Sequence, residues 1–314
     1  MRAIFFGTPE FAVPCLQALN KIAEVPLVIC QPDRPAGRGM KLTPPPVKRM
    51  AQSLGLPVEQ PTKIRTAAFA ERLRQIEADV ALVVAYGRIL PATVLAAPRL
   101  GCVNVHASLL PKLRGAAPIQ WAIVRGDAES GVCLMQMDEG MDTGPVLSRS
   151  ALTITQQDTA ATLSLRLSEV GAQLVETALP AYVRGELTAI PQDHEQATMA
   201  PMLQKSDGLL DFGDTAQAVH DRVRGLDPWP GAYAFLDGKR VKILAARVLR
   251  RDGQHGRQGQ VLRADRHGIE VACGAGIVAI DVLQLEGRKR ATAEQFCAGQ
   301  SLQDGMVFAR EAGQ

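Results

Sequence analysis

The stretch ADVALVVAY (78–86) has the nearly continuous apolar character of a strand that is buried on both faces of a sheet. Two earlier runs, RAIFF (2–6) and VPLVICQ (25–31), share this character, and GCVNVH (101–106) follows as a further strand. Segments with helical spacing lie between or after these runs: EFAVPCLQALNK (10–21), TAAFAERLRQIE (66–77) and AAPIQWAIVRG (116–126). Buried strands that alternate with helices predict an α/β fold with a doubly wound, mostly parallel sheet.

The second half of the chain has a different pattern. Residues 131–154 predict two antiparallel strands around a glycine-rich turn, and residues 158–185 predict a long amphipathic helix. A polar, proline-containing stretch at 190–208 is the best candidate for a linker. Residues 209–314 contain short strands, frequent glycines and one helix, which predicts a small β-barrel or sandwich. The sequence therefore predicts two domains, 1–189 and 209–314.

The composition is that of an ordinary globular protein, with 46% hydrophobic residues, 21% charged residues and a net charge of +3 over 314 residues. We expect no membrane segment, because no apolar run is long enough and the first residues do not resemble a secretory signal. The six cysteines form no C-x-x-C pair, which favours reduced thiols in a cytoplasmic protein. The histidines are dispersed, and the first turn, GTPEF (7–11), lacks the G-x-G-x-x-G pattern. We therefore expect no metal and no NAD, and we infer no obligate protein partner.

Polar side chains lie at the end of the strand predicted at 101–106. Strand alternation places Asn104 and His106 on one face, and doubly wound sheets bind ligands beyond the carboxyl ends of their strands. A downstream carboxylate, Asp142, lies in the glycine-rich turn MDEGMDTG (137–144). Each residue also has an ordinary structural explanation. A histidine that ends a strand is commonly a hydrogen-bonded structural group, an aspartate two residues before a glycine commonly forms a turn, and Asn104 alone would be a strand-end or cap residue.

Together, these three side chains predict a reaction site that solvent reaches. A carboxylate beside an imidazole favours the protonated ring and fixes its orientation. Asn104 and a protonated His106 would then direct donors at one oxygen that becomes negative during acyl transfer, with Asp142 beside them. Because no serine or cysteine lies in a recognisable nucleophile motif, we expect direct transfer between two bound substrates.

The segments NVHASLLPKLRGAAPIQWAI (104–123) and MDEGMDTGP (137–145) resemble the folate-dependent formyltransferases, which share an asparagine, a histidine in an H-x-S-L-L-P segment and a downstream aspartate. The resemblance covers nearly the whole chain. Further segments are similar to the members of this family that act on methionyl-initiator tRNA: FFGTPEFAVPCL (5–16), QPDRPAGRGMKLTPPPVK (31–48) and VRGLDPWPGAY (223–233). The resemblance implies a Rossmann-like domain followed by a smaller, OB-like β-barrel.

The resemblance also implies a reaction, in which the formyl group of 10-formyltetrahydrofolate is transferred to the α-amine of initiator methionyl-tRNA for translation initiation. Asn104 and His106 would hold the formyl oxygen, and Asp142 would pair with His106 and help to remove a proton from the attacking amine. The C-terminal barrel would bind tRNA. GRIL (87–90), in particular Ile89 and Leu90, would wall the pterin pocket with backbone groups and apolar side chains, and the four residues of SLLP would line the folate site: Ser108, Leu109, Leu110 and Pro111.

The segment 31–48 is rich in proline and glycine, so we expect a structureless loop without a helix or a central strand. Residues 34–49 include five basic side chains and no acidic one. A solvated surface loop is one interpretation, but long loops in compact domains usually have a function, and a loop that follows a phosphate backbone would carry such charge. Four side chains are predicted to bind tRNA: Arg34, Arg38, Lys41 and Lys48. Of these, Arg38 would also position the attacking amine.

Three alternatives remain open. A related formyltransferase could act on a small amine, such as glycinamide ribonucleotide or a nucleotide sugar, but it would need neither the basic loop nor this C-terminal domain. A hydrolase or dehydrogenase module of the same superfamily comes second, although the dehydrogenase would need a much longer chain. A non-catalytic RNA-binding module comes third, and the presence of Asn104, His106 and Asp142 counts against it.

Overall fold

The computed structural model describes residues 1–37, 39–299 and 302–311. Arg38, one of the side chains predicted to bind tRNA, lies outside the described residues. The strands are β1 (Ala3–Gly7), β2 (Val28–Ile29), β3 (Arg34–Ala36), β4 (Lys41–Thr43), β5 (Val58–Glu59), β6 (Val80–Val84), β7 (Cys102–His106), β8 (Glu129–Gln136), β9 (Val146–Thr153), β10 (Ala232–Leu236), β11 (Lys239–Arg250), β12 (Val261–Asp265), β13 (Gly268–Ala272), β14 (Ile277–Leu285), β15 (Ala291–Thr292) and β16 (Phe308–Ala309). The α-helices are α1 (Val13–Ile22), α2 (Pro46–Ser53), α3 (Ala67–Arg74), α4 (Ala92–Leu95), α5 (Pro118–Val124), α6 (Ala160–Val183), α7 (Ala216–Gly225) and α8 (Ala293–Gly299).

The chain divides into two compact units. The first comprises Met1–Pro118, Glu129–Thr153 and Ser164–Pro201. The second comprises Ile119–Ala128, Ile154–Leu163 and Met202–Gln314. The boundaries drawn from the sequence, with a linker at 190–208, stay a prediction.

The first unit is built on a sheet with the strand order β5-β2-β1-β6-β7-β8-β9. The strands from β5 to β7 in this order run parallel to one another, and β8 and β9 extend the sheet as antiparallel strands. Strands β1 and β6 are buried along their whole length, because every one of their residues is apolar or glycine. This arrangement confirms the predicted doubly wound, mostly parallel α/β fold.

The helices of this unit begin where the local chemistry favours a helix. Helix α3 starts after Thr66, whose hydroxyl accepts a hydrogen bond of 3.2 Å from the Phe69 backbone N–H. Helices α1 and α2 have a proline in the first turn, where the missing N–H is not needed. The predicted helices at 10–21 and 66–77 therefore exist, with ends that differ by a few residues.

The second unit contains an antiparallel sheet with the order β12-β13-β14-β11-β10-β16, to which β15 is added beside β14. A bridge between Gln260 and Val307 lies next to the two end strands of this order, so the sheet curls back towards itself. Helix α7 packs against β11 and β14, and its Val219 and Val223 are buried in the core of this unit. The predicted barrel-like second fold is confirmed.

The segment 31–48 is more regular than the sequence predicts. Strands β3 and β4 form an antiparallel hairpin in which Arg34 lies opposite Thr43. The glycines at positions 37 and 39 have φ values of +69° and +92°, which let the chain reverse between the two strands. The prediction of a structureless loop without a helix is wrong, because a two-stranded hairpin tolerates a proline such as Pro35, and because α2 begins inside the segment at Pro46, where a proline fits the first turn.

Burial explains the state of the cysteines. All six are free thiols and five are buried. Burial raises the pKa of both Cys15 and Cys102 to about 12, so these thiols stay protonated at neutral pH. Within the described part of the chain, no helix is both long enough and apolar enough to cross a membrane.

Candidate active site

The carboxyl end of β7 carries two of the predicted catalytic side chains. Asn104 pairs with Val83 of β6, and His106 pairs with Cys133 of β8. Alternation along the strand places Asn104 and His106 on one face, as the sequence predicts. They therefore lie at the edge where doubly wound sheets bind their ligands.

The turn between β8 and β9 brings Asp142 back to this edge. Its Oδ1 atom lies 3.6 Å from His106 Nδ1 and accepts a hydrogen bond of 3.4 Å from Asn104 Nδ2. Its Oδ2 atom accepts a bond of 2.8 Å from the backbone N–H of Gly115. The structure thus brings the three predicted side chains together, with the Asp142 carboxylate between the other two.

The two nitrogens of His106 have different surroundings. Nε2 lies 3.0 Å from the backbone carbonyl of Leu113, and because a carbonyl only accepts, this nitrogen carries the hydrogen. Nδ1 is left to face Asp142. The side chain of His106 is only 6% exposed, so the expectation that solvent reaches all three side chains is wrong for this one. The two residues that follow it, Ala107 and Ser108, are buried as well.

The SLLP segment, predicted to line a folate site, follows β7 directly. The Ser108 hydroxyl donates a hydrogen bond of 2.6 Å to the Lys112 carbonyl, and Ser108 has no exposed surface. Leu110 is buried in the core, whereas Leu109 and Pro111 are half-buried. In this conformation the ligand-accessible part of SLLP is therefore Leu109 and Pro111, and the folate contacts of the segment stay a prediction.

The GRIL segment follows β6 at the same edge of the sheet. Ile89 is 65% exposed and lines a cavity of about 450 Å³, whereas Leu90 is buried in the core. The rest of the lining comes from Arg88 and from residues 62–66. Arg88 fixes the two segments together by donating to the carbonyls of residues 61 and 62. Among the described residues that line this cavity, none is acidic and three are basic: Lys63, Arg65 and Arg88.

The hairpin of β3 and β4 carries the predicted tRNA-binding side chains that the structure describes. Arg34 and Lys41 are exposed. Lys48 instead donates to both carboxylate oxygens of Asp33, at 2.9 and 2.8 Å, and to Gln60 Oε1 at 2.8 Å. The hydrogen bonds from Lys48 and Gln60 lower the pKa of Asp33. Lys48 thus anchors the base of the hairpin.

Two residues that sequence reasoning missed hold the turn around Asp142. The side-chain amide of Gln192 donates to the carbonyls of Asp142 and Gly144, at 2.9 and 2.7 Å. Its oxygen accepts two bonds from Arg114, one from Nε at 3.1 Å and one from Nη2 at 2.7 Å. The signal in the sequence is an arginine within the otherwise small and apolar run LRGAAP (113–118).

The arrangement can support acyl transfer. Asn104 keeps a second amide N–H besides the one directed at Asp142, and a doubly protonated His106 would add a donor at Nδ1. The carboxylate between them can accept a proton. Donors for a developing oxyanion beside a proton acceptor are what a direct acyl transfer needs. Within the described residues, no group of three or more His, Cys, Asp and Glu side chains comes together to hold a metal ion.

Comparison with known proteins relates both halves of the chain to one family. Residues 1–179 match the family described as formyl transferase, and residues 202–301 match the formyl transferase C-terminal domain. The chain is 53% identical to a methionyl-tRNA formyltransferase of Sorangium cellulosum over 311 aligned residues. The alignment covers 99% of this chain and 100% of that protein. The chain is 49% identical to a methionyl-tRNA formyltransferase of Myxococcus xanthus, over 97% of this chain and 96% of that protein.

Solved structures share the fold at lower identity. An N-formyltransferase from Helicobacter canadensis, in complex with folinic acid and dTDP-3-aminofucose, has a TM-score of 0.67 at 19% identity over 89% of this chain and 99% of that one. HypX from Aquifex aeolicus, in complex with tetrahydrofolic acid, has a TM-score of 0.62 at 19% identity over 93% of this chain. The chain spans 46% of HypX. At this identity the likeness concerns the fold alone.

Proposed function

The chain belongs to the formyl transferase family, and from that premise we propose that it transfers the formyl group of 10-formyltetrahydrofolate to the α-amine of initiator methionyl-tRNA. The observation that carries the proposal is the cluster of Asn104, His106 and Asp142 at the ligand-binding edge of the sheet. The product, formylmethionyl-tRNA, would serve translation initiation. The near full-length relatives named for this activity support the choice of acceptor.

In the proposed reaction the amine nitrogen attacks the formyl carbon, and a new carbon–nitrogen bond forms. The formyl oxygen becomes negative and accepts hydrogen bonds from Asn104 Nδ2 and from the protonated Nδ1 of His106. Asp142 accepts a proton from the attacking amine. The bond between the formyl carbon and the folate nitrogen then breaks, and that nitrogen takes up the proton that Asp142 accepted, so that tetrahydrofolate leaves and the carboxylate is restored. No covalent enzyme intermediate is required.

The cavity beside GRIL supports a folate site. Folates carry carboxylates on their glutamate tail, and the cavity lining is basic, with Lys63, Arg65 and Arg88. Ile89 offers apolar surface next to these charges. Because Val83 of β6 lies beside Asn104 of β7, the segment that follows β6 is close to the catalytic cluster. We therefore assign the formyl donor to this edge, with its tail towards the basic side chains.

The exposed hairpin supports a nucleic-acid acceptor. Arg34 and Lys41 present charge to solvent, and Met40 and Leu42 are 69% and 72% exposed. A basic, partly apolar projection can contact both the phosphates and the unpaired bases of an acceptor end. A second tRNA contact on the C-terminal barrel and a cytoplasmic location, consistent with the free thiols, complete the proposal.

Formyl transfer to defined acceptors tests the proposal. The protein would be incubated with labelled 10-formyltetrahydrofolate and, separately, with initiator methionyl-tRNA, glycinamide ribonucleotide and an amino-sugar nucleotide. We expect label on the aminoacyl end of the tRNA and on neither small amine. Label on a small amine alone would identify one of the other formyltransferase activities. RNA binding without any formyl transfer would identify a binding module.

A further inference from the structure

We propose that Gln192 is a positioning residue that fixes the Asp142 carboxylate for proton transfer, and that Arg114 holds Gln192 in this role. The inference rests on the proposed function, since it acts through the group that would take the proton. It concerns two buried side chains, at 8% and 6% exposure, that lie outside the three predicted catalytic residues.

The turn that carries Asp142 has little packing of its own. Residues 138–141 are exposed, and Asp142 itself has φ = 54°, in the left-handed region that few residues other than glycine adopt. Within the turn, Asp138 Oδ1 accepts bonds from the Gly140 N–H and the Thr143 hydroxyl. These bonds shape the turn, but they do not attach it to β7. The Asn104 amide and the Gly115 N–H bind the carboxylate directly, so the backbone of the turn is the part that needs a further contact.

Gln192 supplies that contact, and both N–H groups and the oxygen of its side-chain amide have hydrogen-bond partners. Its two N–H groups donate to the carbonyls of Asp142 and Gly144, the residues on either side of Thr143. Both lone pairs of its oxygen are taken by the Arg114 guanidinium. A flipped amide would direct its N–H groups at the guanidinium, which cannot accept, so the orientation of Gln192 is fixed by its partners.

Arg114 connects this contact to the carboxylate itself. Its side chain also bonds to His194 Nδ1 at 3.1 Å, and its backbone N–H donates to the Thr198 carbonyl at 2.8 Å. The next residue, Gly115, donates its N–H to Asp142 Oδ2. Arg114 and its neighbour Gly115 therefore hold Asp142 at two points. Gln192, held by Arg114, binds the backbone carbonyl, and the Gly115 N–H binds the carboxylate.

The position of the carboxylate should affect turnover more than substrate binding. A displacement of about 1 Å at a reacting group is enough to cost about a hundredfold in rate. Neither Gln192 nor Arg114 lines the cavity assigned to folate, and neither belongs to the hairpin assigned to tRNA. Removing the two donated bonds should therefore lower kcat and leave KM for both substrates close to its original value.

The experiment compares Gln192→Glu and Gln192→Ala with the wild type in the full-length protein. The glutamate keeps the shape and pairs with Arg114, so we expect the fold to be retained, but the ionised carboxylate repels the two carbonyls instead of donating to them. We expect kcat to fall by at least about tenfold in both variants, with KM changed by less than about twofold. Gln196→Glu is the matched control, because the same change occurs four residues away at an exposed position. Should Gln192→Ala not fold, the glutamate variant decides.

A double variant shows whether Gln192 acts through Asp142. On the background of Asp142→Asn, Gln192→Glu should cause no further loss of kcat, since the group it positions is already gone. An equal loss on both backgrounds, or wild-type kcat in the single variants, overturns the positioning role. Wild-type protein that transfers no formyl group overturns the proposed function as well, which distinguishes the two failures.

Discussion

His106 and Asp142 face each other through one pair of atoms, Nδ1 and Oδ1, which are 3.6 Å apart, while the other ring nitrogen is bound to the Leu113 carbonyl. Nδ1 therefore has a hydrogen to donate only when the ring is doubly protonated. In the proposed reaction this makes Nδ1–H the donor to the formyl oxygen and places Asp142 beside it as the proton acceptor. We therefore expect the two residues to act as a pair in the proposed reaction.

Asp142→Asn should lower formyl transfer to initiator methionyl-tRNA by at least about a hundredfold, the lower range for losing a general base. The amide can still accept the Gly115 N–H, so the turn should survive. Steady-state kinetics measure the effect. Asp138→Asn is the control, since it changes an exposed carboxylate in the same turn to a group that also accepts. Comparable rates for the two variants would contradict the assignment of Asp142.

Asn104→Ala and His106→Ala should each lower turnover by about a hundredfold, the scale of losing one oxyanion donor. The two variants should differ in stability. Asn104 is half-buried, so its replacement should leave the unfolding temperature nearly unchanged. His106 is buried and bound to the Leu113 carbonyl, so its replacement should lower the unfolding temperature as well. Near-normal turnover in both variants would refute an oxyanion site here.

The basic cavity yields a prediction about the donor. Lys63→Ala combined with Arg65→Ala should weaken binding of a folate that carries its glutamate tail, because two exposed cations lining the cavity are lost. A pteridine without the tail should bind both proteins equally. Arg72→Ala, an exposed arginine on α3 outside the cavity, is the control. Calorimetric titration gives the affinities, and an unchanged affinity for the full folate would place its tail elsewhere.

The basic side chains of the segment 31–48 other than Lys48 should govern tRNA affinity. Replacing Arg34, Arg38 and Lys41 with alanine should weaken binding of initiator tRNA and flatten its dependence on salt, since fewer counterions are released. Folate affinity should not change. Titrations at low and at moderate salt provide both quantities. An unchanged slope would mean that the hairpin is only a solvated surface feature and that the barrel recognises the tRNA.

Lys48 differs from the exposed cations of the hairpin, because it pairs with Asp33 and so anchors the hairpin. The pKa of Asp33 is lowered in the folded protein by Lys48 and Gln60, so this anchoring is complete above the unfolded pKa of about 3.9 and is lost as the pH falls through the folded value. Asp33→Asn should accelerate amide hydrogen exchange in β3 and β4 at neutral pH. Equal exchange in variant and wild type would show that the hairpin stands without this anchor.

The sequence predicts some parts of the site much better than others. That Asn104 and His106 share a face follows from strand alternation alone, and the parallel sheet follows from the buried apolar runs. The closeness of Asp142 depends on the antiparallel return of β8, which alternation does not determine. Gln192 lies 50 residues beyond Asp142 in an irregular segment. No periodicity relates these two residues, so only the folded chain reveals their contact.

A buried ion pair in the second unit leads to the last prediction. Asp221 Oδ1 accepts bonds from Arg224 Nε at 2.7 Å and from Gln217 at 3.0 Å, while Arg224 also donates to the carbonyls of Thr155 and Asp158. Burial opposes the charge, but the close contact with His220 and the hydrogen bonds from Arg224 and Gln217 outweigh it and lower the pKa of Asp221. Its stabilising effect is therefore complete above about pH 4 and is lost as the pH falls through the folded pKa.

Asp221→Ala should destabilise the second unit by about 3–5 kcal/mol at neutral pH, because it leaves the buried Arg224 charge without its partner. The loss should shrink towards acid pH, where the wild-type carboxylate is protonated as well. Hydrogen exchange of the α7 amides in increasing urea measures the stability of this unit directly. Asp252→Ala, at an exposed position, is the control and should change it by less than about 0.5 kcal/mol. A loss for Asp221→Ala that matches this control, or that does not depend on pH, would show that the neighbouring carbonyls alone are sufficient to hold Arg224.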